Sequence, residues 1–130
     1  MRQGLILLGH GARDPRWRDP FERLAARIRE MRPELPVSLA FLELMAPDLL
    51  SAGEALVVAG CDAIQVVPVF FGQGGHVRDD VPTLVEALQR RYSDVDVRVS
   101  PAAGENGRVI DALADFSLGE LHVGEAGAID

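Results

Sequence analysis

Three side chains that can bind a metal ion lie at equal intervals along the chain. His10, Glu43 and His76 follow one another at spacings of 33 positions. Two imidazoles and one carboxylate form a nitrogen and oxygen ligand set that suits divalent iron, cobalt, nickel or zinc. A lone loop histidine more often hydrogen-bonds its neighbours, and a lone loop glutamate more often faces solvent. The pattern alone therefore favours neither interpretation: the three residues could form a metal site, or they could be unrelated loop residues.

The elements that must position these side chains follow an alternating pattern. Short apolar runs predict strands over residues 5–10, 37–42 and 63–67, and alternating apolar and charged residues predict an outer strand over 95–99. Apolar residues at helical spacing predict helices over residues 19–32, 47–60, 81–88 and 109–116, and a glycine-rich loop is expected over residues 69–80. One strand and one helix therefore occupy about 33 residues. On this interpretation, the three candidate ligands all follow strands.

The element order predicts the fold class. Alternating strands and helices with buried strands indicate an α/β fold, a doubly wound sheet of four parallel strands with helices on both faces. The simplest strand order is 2-1-3-4, and ligands of such sheets bind at the carboxyl ends of the strands, beside the switch point. We expect one domain over residues 1–116. Residues 117–130 are expected to form a tail of uncertain structure, in which His122 has no assigned role.

Composition excludes several classes of function. The net charge of -7 disfavours binding to nucleic acid and to anionic membranes. All 13 basic residues are arginine, so neither a Schiff-base lysine nor a phosphate-loop lysine is available. The single cysteine, Cys61, permits neither an internal disulfide nor a thiolate metal cage. No apolar run is long enough to span a bilayer, and we expect a cytoplasmic protein.

Three segments carry a resemblance to a known family. They are the string LLGHGARD at residues 7–14, FLE at 41–43 with Pro47 downstream, and VPVFF at 67–71 followed by GHVRDDVP at 75–82. In this order and spacing they resemble the CbiX/SirB sirohydrochlorin chelatases, over residues 5 to 116. The length is similar to the short, single-lobe form of that family. The resemblance therefore implies a chelatase-like fold and a homodimer.

The family's activity implies roles for the three candidate ligands. The resemblance implies that a divalent metal, cobalt before iron or nickel, is inserted into sirohydrochlorin, for cobalamin biosynthesis if the metal is cobalt. His10 and His76 would bind the incoming metal, and Glu43 would be a neighbouring ligand or proton acceptor. The metal is then a substrate, and no permanent cofactor is expected. Neutral imidazole is needed, so activity should fall as the pH drops through the histidine range near ~6.5.

The tetrapyrrole substrate needs contacts of two further kinds. Its rim carboxylates require cations, and Arg13 and Arg78 lie in the segments closest to the proposed site, with Arg16 as a weaker candidate. Its flat faces require apolar surface, which Phe70, Phe71 and Met45 could supply. Surface solvation is the alternative for the arginines. Core packing is the stronger default for the phenylalanines.

Other functions remain open on the sequence. A module that binds and delivers metal or tetrapyrrole without catalysis would need the same ligands. A structural α/β domain would need none of them. Phosphoryl transfer is a minor alternative, because histidine phosphatases place an arginine directly before the histidine, where this chain has Gly9.

Overall fold

The first strand sets the layers of the fold. In the computed structural model, which describes residues 1–121 except the side chain of His76, β1 spans Gln3–Gly9. Ile6, Leu7 and Leu8 are each at most 2% exposed. Leu7 packs into one core cluster, whereas Ile6 and Leu8 pack into another on the opposite face. The strand is therefore buried on both faces, as its unbroken apolar run predicts.

Four parallel strands form one sheet. The others are β2 (Val37–Phe41), β3 (Ala63–Pro68) and β4 (Asp96–Val99). Their order is β2-β1-β3-β4, and every pairing is parallel. The predicted fold class and strand order are thus confirmed, with β1 and β3 as the two central strands.

Within residues 1–121, four helices accompany the sheet. They are α1 (Asp19–Met31), α2 (Leu49–Val58), α3 (Gly75–Arg91) and α4 (Gly107–Gly119). Helices α2 and α3 cover the face that contains Ile6 and Leu8, and α1 covers the other face. Two short 3-10 turns, Pro15–Arg18 and Ala103–Glu105, precede α1 and α4.

Local signals explain where α2 begins and ends. The carboxylate of Asp48 accepts a hydrogen bond from the Ser51 backbone N–H at 2.9 Å and caps the first turn. Just beyond the last turn, Gly60 has a φ of 95°. This left-handed conformation favours glycine, so the predicted cap at the end of this helix is confirmed.

The prediction that α3 begins at residue 81 is wrong. The helix begins at Gly75, so residues 75–80 are helical rather than part of the glycine-rich loop. Pro82 lies inside the helix, where it can donate no backbone hydrogen bond. One turn earlier, the Asp79 carbonyl accepts a hydrogen bond from the Thr83 hydroxyl at 3.2 Å.

The last helix also extends beyond its predicted end. It reaches Gly119, three residues past residue 116, and Asn106 caps its start by accepting hydrogen bonds from two backbone N–H groups. None of the residues of α4 is buried. His122 lies outside the described residues, and the division into a domain and a tail stays a prediction. None of the helices within residues 1–121 has the length and apolarity that crossing a membrane requires.

Candidate functional site

The carboxyl ends of the three adjacent strands meet at one edge of the sheet. Gly9 at the end of β1 is in register with Phe41 of β2, and Leu8 is in register with Pro68 of β3. The ladder between β1 and β2 continues past both strands, because the Glu43 N–H donates to the His10 carbonyl at 3.0 Å. The structure therefore brings the backbones of His10 and Glu43 side by side, as the spacing predicts.

Two glycines permit this close approach. At Gly9, a Cβ atom would lie 2.7 Å from two ring atoms of Phe21. Gly11 has a φ of 98°, and a Cβ atom there would overlap the Glu43 carbonyl oxygen. The glycines on either side of His10 are thus required by the packing of α1 and of the loop that follows β2.

The imidazole of His10 lies against an aromatic ring from the third strand end. His10 is partly buried, and its ring centroid is 4.3 Å from that of Phe70, with the ring planes inclined by 38°. Phe70 also packs against the core cluster beneath α2 and α3. Phe70 therefore contacts the candidate metal ligand directly, a contact that the sequence does not predict.

The third candidate ligand lies on a helix rather than in a loop. His76 is the second residue of α3, and its side chain is outside the described part of the structure. Among the described residues, no three His, Cys, Asp or Glu side chains are arranged to hold a metal ion. The joint role of His10, Glu43 and His76 as metal ligands and catalytic residues thus stays a prediction.

The three candidate arginines differ in the partners they have. Arg16 forms an ion pair of 2.7 Å with Asp14, and this hydrogen-bonded guanidinium holds the pKa of the Asp14 carboxyl below its ordinary value. Arg78 is exposed and makes one long contact, 3.4 Å from Nη2 to the Gln73 carbonyl. Arg13 is exposed, and no described residue pairs with it. Arg13 and Arg78 are therefore available to an anionic ligand, whereas Arg16 is already paired.

The remaining candidates for contact with a flat substrate differ in exposure. Phe71 is 68% exposed on the loop after β3. Met45 is partly buried and packs against the core cluster on the α1 side of the sheet. Phe71 thus offers the larger free apolar surface at this edge.

Sequence reasoning misses the contacts that hold the loop after β2. Arg18 donates from Nη1 to the Ala46 carbonyl at 2.8 Å, and its guanidinium lies 5.2 Å from the centre of the Phe41 ring. In the same loop Leu44 has a φ of 67°, which is unusual for a bulky residue. Arg18 also forms an ion pair of 3.0 Å with Glu22 in the first turn of α1. No sequence pattern indicates that this arginine reaches a loop 28 residues away.

A comparison with known families fits this geometry. The CbiX family model matches residues 4–117. This chain belongs to the CbiX family. The match spans the sheet except Gln3 and almost all of α4, so the family assignment covers every element that contributes to the site.

Curated relatives carry chelatase names. The sirohydrochlorin cobaltochelatase of Methanopyrus kandleri is 36% identical over 90 residues, which are 69% of this chain and 62% of that protein. That of Sulfolobus acidocaldarius is 28% identical over 92% of this chain and 94% of that protein. The sirohydrochlorin ferrochelatase of Bacillus subtilis is 27% identical over 87% of this chain but only 43% of its own length. The chain therefore spans less than two thirds of some relatives and nearly all of another.

Solved structures of CbiX and SirB proteins share the fold. The crystal structure of a CbiX protein from Marinobacter aquaeolei superposes with a TM-score of 0.80 at 33% identity, covering 91% of this chain and 96% of that one. SirB of Bacillus subtilis in complex with cobalt has a TM-score of 0.71 at 25% identity, covering 93% of this chain and 52% of SirB. The four-stranded α/β unit is therefore the fold of the family.

Proposed function

We propose that this chain inserts a divalent metal ion, with cobalt as first choice, into sirohydrochlorin. One observation supports the proposal most strongly. In a chain of the CbiX family, the backbones of His10 and Glu43 lie side by side at the edge of the sheet. Helix α3 packs against the same sheet, and His76 is in its first turn. The candidate ligands thus follow three neighbouring strands.

The chemistry of insertion needs a base and a loosely held ion. One divalent cation enters the ring as two pyrrole N–H protons leave, so the net charge of the ring is unchanged. His10 and His76 would hold the ion through neutral imidazole nitrogens, and Glu43 would be a third ligand or accept a proton. Glu43 is exposed, so a proton it accepts can pass to solvent.

The ring itself would be held at its rim and on its faces. Arg13 and Arg78 are exposed and can bind rim carboxylates in bidentate fashion. Phe71 supplies an exposed apolar surface, and Met45 adds a partly buried one. This division of contacts separates ring binding from metal binding, so single substitutions should affect one without the other.

Turnover is the test of the proposal. Substoichiometric protein should convert many equivalents of sirohydrochlorin when Co²⁺ is supplied, as followed by the absorbance change of metallation. Glu43→Gln should lower the rate, although water can replace one oxygen ligand. A single equivalent of product per protein chain would instead identify a delivery module. If the protein binds no divalent metal at all, the interpretation that applies is a structural α/β domain without a site.

The native metal requires its own comparison. Relatives are named for cobalt and for iron, and nitrogen and oxygen ligands also suit nickel. Cobalt is proposed because the two archaeal relatives named above are cobaltochelatases. Initial rates with equal concentrations of Co²⁺, Fe²⁺ and Ni²⁺ under anaerobic conditions should be highest with cobalt.

We further propose that the chain acts as a homodimer and that α4 forms the contact between the two copies. Every residue of this helix is outside the core, and four of its large apolar side chains are 40% to 67% exposed: Ile110, Leu113, Phe116 and Leu118. Between α4 and the sheet lies a cavity of about 670 Å³, whose apolar lining includes Val67, Val109 and Leu113. The Bacillus subtilis ferrochelatase is about twice as long as this chain. Two copies of the chain would equal its length.

Light scattering tests the assembly. Phe116→Asp should convert a dimer at micromolar concentration into a monomer, because it places a charge in a contact that excludes water. Met31→Asp is the matched control, since Met31 is 65% exposed at the end of α1. A wild-type monomer with full activity would overturn the proposal.

A further inference from the structure

The contact between the His10 and Phe70 rings assigns a new role to an aromatic side chain. We propose that Phe70 is a positioning residue that orients the His10 imidazole, rather than a surface for the face of the tetrapyrrole. The ring centroids are 4.3 Å apart at an inclination of 38°, a tilted arrangement within the range that aromatic pairs favour. The kinetic part of the proposal depends on the proposed function, and the structural part does not.

The residues next to His10 offer no side chain that could hold its imidazole in one orientation. Gly9 and Gly11 flank the histidine and contribute no side chains that could confine the ring. The hydrogen bond from the Glu43 N–H fixes the His10 carbonyl, which lies on the backbone. No described residue forms a hydrogen bond with the imidazole, and the Phe70 ring lies directly against it. An unsupported imidazole would spend less time in the orientation that binds metal.

Phe70 is itself held in place from two sides. Its side chain packs against the core cluster that contains Ile6, Leu8 and Val66. Its carbonyl accepts a hydrogen bond of 3.0 Å from the Gly104 N–H. Core packing and this backbone hydrogen bond therefore make Phe70 a rigid support.

The neighbouring phenylalanine, Phe71, differs from Phe70 in its exposure to solvent. Phe71 is 68% exposed, whereas Phe70 is partly buried against the core and against His10. A flat substrate can therefore use Phe71 without displacing any packed side chain. The two adjacent residues divide the tasks, Phe70 for the metal ligand and Phe71 for the ring.

Nuclear magnetic resonance of the ligand-free chain tests the contact. The chain has only three histidines, so the His10 ring signals can be assigned by substitution. Phe70→Leu should remove the ring-current displacement of the His10 signals, and Phe70→Tyr should keep it. Tyr92→Leu is the matched control, because Tyr92 packs against the same core cluster at the far end of α3. His10 signals that are the same in Phe70→Leu and wild type would overturn the proposal.

Kinetics then distinguish the positioning role from a substrate contact. Phe70→Leu should lower kcat by roughly two- to tenfold, the scale of an aromatic pair, with the KM for sirohydrochlorin unchanged. Phe70→Tyr should restore most of kcat, and Tyr92→Leu should keep it. A raised KM with an unchanged kcat would show instead that Phe70 binds the macrocycle. If the wild type shows no turnover, the proposed function fails, while the resonance experiment still decides whether Phe70 contacts His10.

Discussion

Gly11→Ala should separate His10 from Glu43 without touching either side chain. Gly11 has a φ of 98°, and an added Cβ atom would overlap the Glu43 carbonyl oxygen. The backbone must therefore shift away from β2, and the hydrogen bond from the Glu43 N–H to the His10 carbonyl is the one closest to the strain. We expect chelatase activity to be lost along with part of the stability.

Gly60 provides the matched control for the magnitude. It has a nearly identical φ of 95°, but the closest atoms to an added Cβ would be 3.7 Å away, which is ordinary contact. Gly60→Ala should therefore lower the free energy of unfolding by about 1–2 kcal/mol, the cost of a left-handed backbone conformation for a residue with a side chain. Gly11→Ala adds the steric overlap, and overpacking costs about 1–3 kcal/mol more. The expected total is about 2–5 kcal/mol of unfolding free energy.

Urea unfolding and metal insertion should be measured on the same preparations. Gly60→Ala should be moderately destabilised and fully active, since Gly60 lies beyond the far end of α2. Gly11→Ala should be less stable than Gly60→Ala and inactive at a temperature where both are folded. Equal stability of the two variants would show that the Glu43 carbonyl does not confine Gly11. Full activity of folded Gly11→Ala would refute the pairing of His10 with Glu43 as the basis of the site.

Further predictions concern ligands, substrate and pH. His10→Ala and His76→Ala should each abolish insertion in a folded protein, and near-wild-type turnover by either variant would exclude that residue as a ligand. Arg13→Gln and Arg78→Gln should each weaken metal-free sirohydrochlorin binding by roughly tenfold to a hundredfold, with metal binding unchanged, in fluorescence titrations. Asp48 accepts a hydrogen bond from the Ser51 N–H that lowers its pKa, so its stabilising effect is present above the ordinary value of 3.8 and is lost as the pH falls through the lower folded value. The urea midpoint should therefore drop more in wild type than in Asp48→Asn below about pH 3.8, and parallel curves would contradict this.

The sheet could be predicted because its signals are local. The first three strands are mostly apolar runs, β4 alternates charged and apolar residues, and the right-handed crossover rule leaves few orders for four parallel strands. The start of α3 could not be predicted for a physical reason. The apolar residues at helical spacing begin at Val81, and the mostly polar first turns from Gly75 follow a glycine-rich stretch that favours a loop. Helix α4 began two residues before its predicted start because Asn106 is an N-cap, a signal that the apolar spacing alone does not use.

Residue spacing could predict which candidate residues follow neighbouring strands, but not which side chains support them. Equal intervals place His10 and Glu43 after adjacent strands, and the observed register brings their backbones together. The support of the site comes from residues far apart in the chain. Arg18 reaches the Ala46 carbonyl, and Phe70 reaches the His10 ring, through side-chain conformations that no periodicity describes.

The central position of β1 explains why His10 is the best-supported member of the site. A strand at the edge of a sheet has one neighbour, but β1 has β2 on one side and β3 on the other. The residue that follows it is therefore held twice, at its carbonyl by Glu43 beyond β2 and at its ring by Phe70 beyond β3. Both contacts depend on parallel strands that end at the same level, since a shift of either strand by one residue would turn its side chains to the opposite face. The switch point of the sheet thus holds the backbone of His10 from one side and its imidazole from the other, through contacts that come from two different strand ends.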